Sequence, residues 1–187
     1  MAELKAFRAL LISAPRPPRS ATTPVQPAAR KGTPQPIPQG YEGAIPYLCV
    51  KGAAAALDFY QKAFGATETM RMSQPDGRIG HAEIRIGQAV IMLADEFPEM
   101  NSRSPSSLGG SPVTLHLYVE DVDAFAKRAT AAGMKVLRPV ENQFYGDRGG
   151  RFEDPFGHVW WIATHQEDLS KEEIRRHLAS LFPLKHG

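Results

Sequence analysis

One order of elements is written twice in this chain. Residues 44–50 (AIPYLCV) read as a strand closed by Lys51-Gly52, and 53–64 (AAAALDFYQKAF) as a helix ending at Gly65. Ala56, Phe59, Tyr60 and Phe64 recur there at helical spacing. Strands at 67–72, 79–86 and 90–94 follow, separated by Pro75-Asp76-Gly77 and Gly87-Gln88. After a polar Ser/Gly/Pro-rich stretch, 97–111, the order returns: a strand at 113–119, a helix over 121–133, and strands at 135–140, 150–153 and 159–164. Val50 and Val119 hold matching places, as do Gly65 and Gly133. A βαβββ unit has one helix to cover one face of its sheet. Two such units in tandem predict an α+β fold in which each sheet buries one face under its helix.

This pattern sets the expected organisation. Residues 1–41 are a disordered Pro/Ala-rich tail, 42–166 the folded domain (modules 42–96 and 112–166 around the linker 97–111), and 167–187 a C-terminal helical segment. Half of the 16 prolines fall between Pro15 and Pro38, a composition that cannot bury enough apolar surface to offset its ordering entropy. Residues 4–13 could form a short amphipathic helix, and the acid-poor, Arg- and Ser-bearing tail has some likeness to a transit peptide. A plain disordered extension is the favoured reading. Ser170 as N-cap with Glu173 three residues on forms a capping box for the last helix, expected to dock through Ile174, Leu178, Leu181 and Phe182.

Charge excludes some partners. The net charge is +2, but Lys5, Arg8, Arg16, Arg19, Arg30 and Lys31 stand against Glu3 alone in the first 40 residues. The basic character belongs to the tail, so no nucleic-acid partner is expected. No apolar run is long enough to span a bilayer, so no membrane partner is expected either. A single cysteine, Cys49, excludes an internal disulfide and any multi-cysteine metal site, and makes a cytoplasmic setting the default.

Several segments carry a family resemblance: LDFYQKAFGA (57–66), AVIML (89–93), LHLYVEDVDA (115–124) and EDPFGHVWWI (153–162). Over residues 44–166 the chain resembles the vicinal oxygen chelate superfamily of glyoxalases, bleomycin-resistance proteins and extradiol dioxygenases. GHAEIRIG followed by IMLADE, with DPFGHVW near the end, is most similar to the PhnB-like branch. The resemblance implies that the two βαβββ modules form a cupped mixed β-sheet (the glyoxalase/bleomycin-resistance fold) with a small-molecule site on the open sheet faces and, in metal-dependent members, a quartet of His or Glu ligands. The positions matching that quartet here are Ile45, Met92, Thr114 and Trp161. None is a good ligand for a borderline or hard divalent ion, so no cofactor is expected and a divalent metal is the minority alternative.

Strand alternation assigns the faces. Leu48 and Val50 go under the helix, as do Ala82, Ile84 and Ile86, and Val113, Leu115, Leu117 and Val119. The candidate ligand-binding residues on the open side are Tyr47, His81, Glu83, Met92, His116, Tyr118 and Trp161. Trp161 offers an aromatic wall for a planar or cationic molecule, with core filling as its plain alternative. The leading expectation is a protein, enzymatic or not, that binds a small aromatic or planar molecule without the usual metal. Two alternatives stand beside it. One is a metal-dependent lyase, isomerase or dioxygenase with relocated ligands (His81, Glu83, His116), or a metal-free acid–base catalyst using them. The other is a structural or regulatory dimer with a filled cup. A homodimer is the expected assembly. Arg148 and Arg151 could clamp a carboxylate or phosphate, though solvated surface arginines are the plainer reading. Lys127 and Arg128 read as solvated face, Cys49 as an inert thiol, and Gly149-Gly150 lacks the helix that a phosphate-binding loop needs.

Overall fold

The computed structural model describes residues 34–181. The amphipathic segment expected at 4–13 lies outside them, as does Phe182. In the unit beginning at Ile37, the first module runs β1 (Tyr47–Val50), α1 (Ala53–Phe64), β2 (Thr67–Ser73), β3 (Ile79–Ile86) and β4 (Ala89–Asp95). The second runs β5 (Thr114–Tyr118), α3 (Val122–Ala131), β6 (Lys135–Asn142), β7 (Asp147–Glu153) and β8 (Val159–His165), and α4 (Lys171–Leu181) follows. The linker is ordered by a 3-10 turn, Pro98–Met100, and a single helical turn, α2 (Pro105–Leu108). The Glu96 carboxylate fixes it, accepting hydrogen bonds from Ser104 N (3.0 Å), Ser104 Oγ (2.8 Å) and Ser107 Oγ (2.7 Å).

Each module makes one four-stranded mixed sheet, in the orders β1-β4-β3-β2 and β5-β8-β7-β6. The first strand of each runs parallel to the last, and the remaining pairs are antiparallel. The repeat extends to capping. Gly52 at the start of α1 has no side chain, so Asp95 Oδ1 on β4 accepts from Gly52 N (2.9 Å) and Ala53 N (2.8 Å), while its Oδ2 takes Ile79 N (2.7 Å). In the second module Thr164 Oγ1 on β8 accepts from Val122 N (2.9 Å), beside an N-cap bond from Ala124 N to Asp121 (2.9 Å). A last-strand side chain thus satisfies helix-start donors in both copies.

The helix sides of both sheets share one core. Phe64 of α1 meets Trp160 of β8 at 4.6 Å between ring centroids and Phe125 of α3 at 5.2 Å. Tyr60, Phe152, Ile162 and Leu93 are fully buried in the same cluster. Asp154 ties the modules together. It accepts from Tyr60 Oη (2.7 Å), Trp160 Nε1 (3.0 Å), Phe156 N (3.0 Å) and His158 N (2.9 Å). Arg128, expected to be merely solvated, donates from Nε to Ala63 O (3.1 Å) at the end of α1, where a cation also meets the negative end of the helix dipole.

Two expectations about burial need correction. Val113 lies one residue outside β5 and is 60% exposed. The capping box of α4 forms as expected, with Ser170 N donating to Glu173 Oε2 (2.9 Å) and Glu173 N to Ser170 Oγ (3.3 Å). Its apolar stripe, however, does not dock: Leu178 and Leu181 are exposed and only Ile174 is partly covered. The helix touches the second sheet at the His177 Nδ1···Phe144 O contact (3.0 Å), and Leu181 lines a groove with Phe144, Tyr145 and Trp161 without being covered.

Candidate functional site

The faces turned away from the shared core carry the chemistry, and cross-strand register arranges it in rows. On the first sheet, Met70, Glu83, Met92 and Tyr47 stand opposite one another across β2, β3, β4 and β1. On the second, the equivalent row is Arg138, Arg151, Trp161 and His116 across β6, β7, β8 and β5. All seven candidate residues therefore lie on open faces, in two groups. Tyr47, His81, Glu83 and Met92 are on one sheet, and His116, Tyr118 and Trp161 on the other.

The first group is a hydrogen-bonded chain. Tyr47 Oη lies 2.8 Å from His81 Nδ1, and His81 Nε2 lies 3.2 Å from Glu83 Oε1. The second Glu83 oxygen accepts from the Tyr41 hydroxyl. With a neutral imidazole, one arrangement satisfies every bond: the Tyr47 hydroxyl donates to Nδ1, and Nε2–H donates to the carboxylate. The Tyr41 hydrogen bond, followed by that of His81, holds the Glu83 carboxyl below its ordinary range. The Tyr41 phenol is raised by the same bond and the Tyr47 phenol by burial. Both phenols are thus protonated beside an ionised carboxylate. Tyr41 falls in the stretch that composition assigns to the tail, where the sole cue was an aromatic residue following Gly40.

The second group has a comparable network. The rings of His116 and Tyr118 are 4.6 Å apart. Tyr118 Oη donates to Asp147 Oδ2 (2.8 Å), Asp147 Oδ1 lies 2.8 Å from His165 Nδ1, and His165 Nε2 lies 3.0 Å from Asp168 Oδ1. Asp147 is buried, and its hydrogen bond, then that of Asp168, raises the His165 imidazole above its ordinary value. Neither Asp147 nor His165 was singled out from sequence. Asp147 opens β7, three residues ahead of the strand start expected at 150.

Trp160 and Trp161 fall on opposite sides of β8 as alternation requires, the former in the core and the latter half-exposed on the open face. The Trp161 indole packs against Gly149: a Cβ added there would lie 3.1 Å from Nε1 and 2.9 Å from Ile162 O. Trp161 Nε1 is the one buried side-chain polar atom without a hydrogen-bond partner among the described residues. A groove of about 590 Å³ is lined by Thr114, Leu137, Arg138, Arg151 and Trp161. A second, of about 560 Å³, shares Arg138 and Trp161 and extends to Phe144, Tyr145 and Leu181.

The expected pairing of Arg148 with Arg151 is not formed. Residues three apart on a strand point to opposite faces. Arg148 is engaged by Asp123 through two hydrogen bonds (2.7 and 2.8 Å), and Arg151 stands opposite Arg138 instead. Cys49 fits the inert reading, since burial pushes its thiol up, with Ser102 Oγ 3.3 Å away.

The divalent metal of the resembled superfamily does not fit these residues. A side chain with no donor, a thioether, a hydroxyl and an indole occupy the four positions (Ile45, Met92, Thr114, Trp161), where imidazole and carboxylate groups are required. The relocated set is not assembled either. His81 and Glu83 adjoin on one sheet while His116 packs on Tyr118 in the other. Among the described residues no three His, Cys, Asp or Glu side chains converge to hold an ion. No helix among them is long and apolar enough to cross a membrane.

Comparisons with known proteins agree with this architecture. The uncharacterized protein Mb0911c of Mycobacterium bovis is 46% identical over 138 residues, 72% of this chain and 91% of its own length. The crystal structure of TioX from Micromonospora sp. ML1 aligns with a TM-score of 0.51 at 25% identity, covering 68% of this chain and 99% of TioX. PA1353 from Pseudomonas aeruginosa, with a TM-score of 0.55 at 24% identity over 66% of this chain and 98% of its own, shares the fold. The sequence model of one family matches residues 44–162. The chain therefore belongs to the Glyoxalase/Bleomycin resistance protein/Dioxygenase superfamily.

Proposed function

We propose that this protein binds a small aromatic or planar molecule on the open face of its second sheet, and does so without the metal quartet of its superfamily. The observation that carries this reading is Trp161. A half-exposed indole, laid against Gly149, forms a wall common to two grooves, with His116 opposite it on the neighbouring strand. An apolar ring stacked there would bury area on both partners and gain offset-stacking energy. The test is a fluorescence and thermal-shift titration with a panel of bicyclic aromatic compounds. Saturable quenching and a ligand-dependent rise in melting temperature support the reading, because a ligand that binds only the folded state must stabilise it. A panel that produces neither refutes it.

Within the superfamily, GHAEIRIG (80–87), IMLADE (91–96) and DPFGHVW (154–160) favour a place in the PhnB-like branch. A homodimer is the proposed assembly. Tyr47, Met70 and Met72 are each more than 40% exposed on the open face of the first sheet, and grouped apolar side chains of this kind suit a protein contact. A second copy covering this face would account for the exposure, and sedimentation reads the mass directly. The proposed setting is cytoplasmic.

A metal-free acid–base reaction is the second reading, favoured by the Tyr47–His81–Glu83–Tyr41 chain. In it, His81 holds a proton on Nε2 against Glu83 and can take the Tyr47 proton at Nδ1. Proton exchange at an activated C–H of a carbonyl compound, lost in His81→Gln, would support it. Absence of exchange across carbonyl classes would remove it.

A further inference from the structure

We propose that Arg138 and Arg151 form an oxyanion-binding subsite beside Trp161, so that the ligand of this face is an aromatic or planar molecule bearing a carboxylate or phosphate. The inference rests on the aromatic-binding reading above and adds the charge of the ligand.

Four observations carry it. First, the two arginines are direct cross-strand partners, and Arg151 is in turn the direct partner of Trp161. Both guanidinium groups therefore rise from the same row as the indole. Second, like charges placed directly opposite one another destabilise a sheet, and one long ion pair serves the two members of this pair. Arg138 reaches only Glu141, at 3.9 Å, and no described carboxylate lies within 4.0 Å of Arg151. Glu153, two residues along β7, faces Lys135 at 3.7 Å. Asp147, at the other end of that strand, is occupied by Tyr118 and His165. Arg148, by contrast, is fully paired with Asp123, so the fold neutralises an arginine of the same strand where no ligand is expected.

Third, the register is broken on both sides of Arg138, between Val136 and Arg138 and between Arg138 and Glu141. Irregularities of this kind re-aim a side chain, and these set the Arg138 guanidinium 5.8 Å from the centre of the Trp161 ring. Fourth, the internal repeat supplies a control. At the equivalent places of the first sheet stand Met70 and Glu83, so the double-arginine row is not imposed by the βαβββ architecture. It belongs to the sheet whose central open-face residue is a tryptophan.

Two planar guanidinium groups beside an indole match a planar molecule with an oxyanion at one end. Guanidinium binds carboxylate and phosphate through paired N–H donors, and the ring lies on the indole. Binding relieves the repulsion between the arginines as well as adding contacts.

The experiment compares 2-naphthoate, 2-naphthyl phosphate and the neutral 2-naphthamide by tryptophan quenching, in wild type, Arg138→Gln, Arg151→Gln and, as a charge control, Lys127→Gln on α3. At least one anion should bind about tenfold or more tightly than the amide, the factor expected from a charge-assisted hydrogen bond. That ratio should collapse toward one in either arginine variant and stay unchanged in Lys127→Gln. Whichever anion shows the larger ratio identifies the oxyanion. Equal binding of amide and anions in wild type overturns the subsite and leaves the aromatic reading standing. A large ratio that survives both arginine substitutions overturns the assignment to these residues. Binding of none of the three compounds overturns both readings. A ligand-free measurement bears on the same point: relief of the repulsion should raise the melting temperature of Arg151→Gln above wild type, and a fall would contradict the uncompensated pair.

Discussion

Asp154 is the point at which one substitution should do most damage to the fold. Its carboxylate receives four donors, and two of them, Tyr60 Oη and Trp160 Nε1, belong to side chains that are 0% and 2% exposed. In Asp154→Ala these donors lose their acceptor in a site from which water is excluded. An orphaned buried donor costs about 1–3 kcal/mol, and partial entry of water relieves some of that. With two such side-chain donors orphaned together with two backbone N–H groups, the expected loss is about 3–5 kcal/mol. At roughly 2–4 °C per kcal/mol for a domain of this size, the melting temperature should fall by about 6–20 °C. Asp154→Asn should lose less, since its carbonyl can still serve Phe156 N and His158 N while its amide leaves Trp160 Nε1 unpaired. Thermal and urea unfolding measure the loss, and a double-mutant cycle with Tyr60→Phe isolates the inter-module bond. A fall below 3 °C for Asp154→Ala, or no coupling with Tyr60, would refute the claim that this carboxylate joins the two modules.

Other outcomes follow from the same geometry. Gly149→Ala should cost about 1–3 kcal/mol and weaken aromatic binding, because the new methyl meets the Ile162 carbonyl and displaces the Trp161 indole; unchanged stability and quenching would contradict the packing. His165 should titrate above its ordinary value by NMR, and Asp147→Asn should lower it. Because its folded value is raised, the stability it contributes is complete at low pH, below its unfolded value. It is lost as pH rises through the folded value, and wild type should approach Asp147→Asn in stability there. Glu96, held at about 2 by its serine donors, contributes in the opposite sense. Its share is present above the unfolded value and disappears as pH falls toward 2, so Glu96→Gln should flatten the acid limb of the stability profile.

The repeat made the fold legible because each module carries both periods in clear form. Ala56, Phe59, Tyr60 and Phe64 mark one helix face, and β3 alternates Ala82, Ile84 and Ile86 against His81, Glu83 and Arg85. Alternation also separated Trp160 from Trp161 correctly. It could not reveal which open-face residues meet, since that depends on register: Arg151 finds Arg138, not Arg148, through a strand pairing interrupted twice. Tyr41 was hidden by its Pro/Gly-rich neighbours, although its hydroxyl completes the Glu83 network. Asp147 and His165 are an ordinary acid and an ordinary histidine until β7 and β8 place them opposite each other. The stripe of α4 shows the converse case, in which a sequence signal of amphipathicity is present and Leu178 and Leu181 stay exposed among the described residues.

The proposed binding on this face needs no divalent ion, because Ile45, Met92, Thr114 and Trp161 stand at the positions that match the superfamily's metal ligands. The direct measurement is a titration of chelator-treated protein with an aromatic anion such as 2-naphthoate, repeated after addition of zinc, manganese or nickel in turn. The expected result is saturable binding in chelator, with an affinity unchanged within about twofold, under 0.5 kcal/mol, on adding each ion. Binding that appears only with a divalent ion, or strengthens tenfold with one, would contradict it.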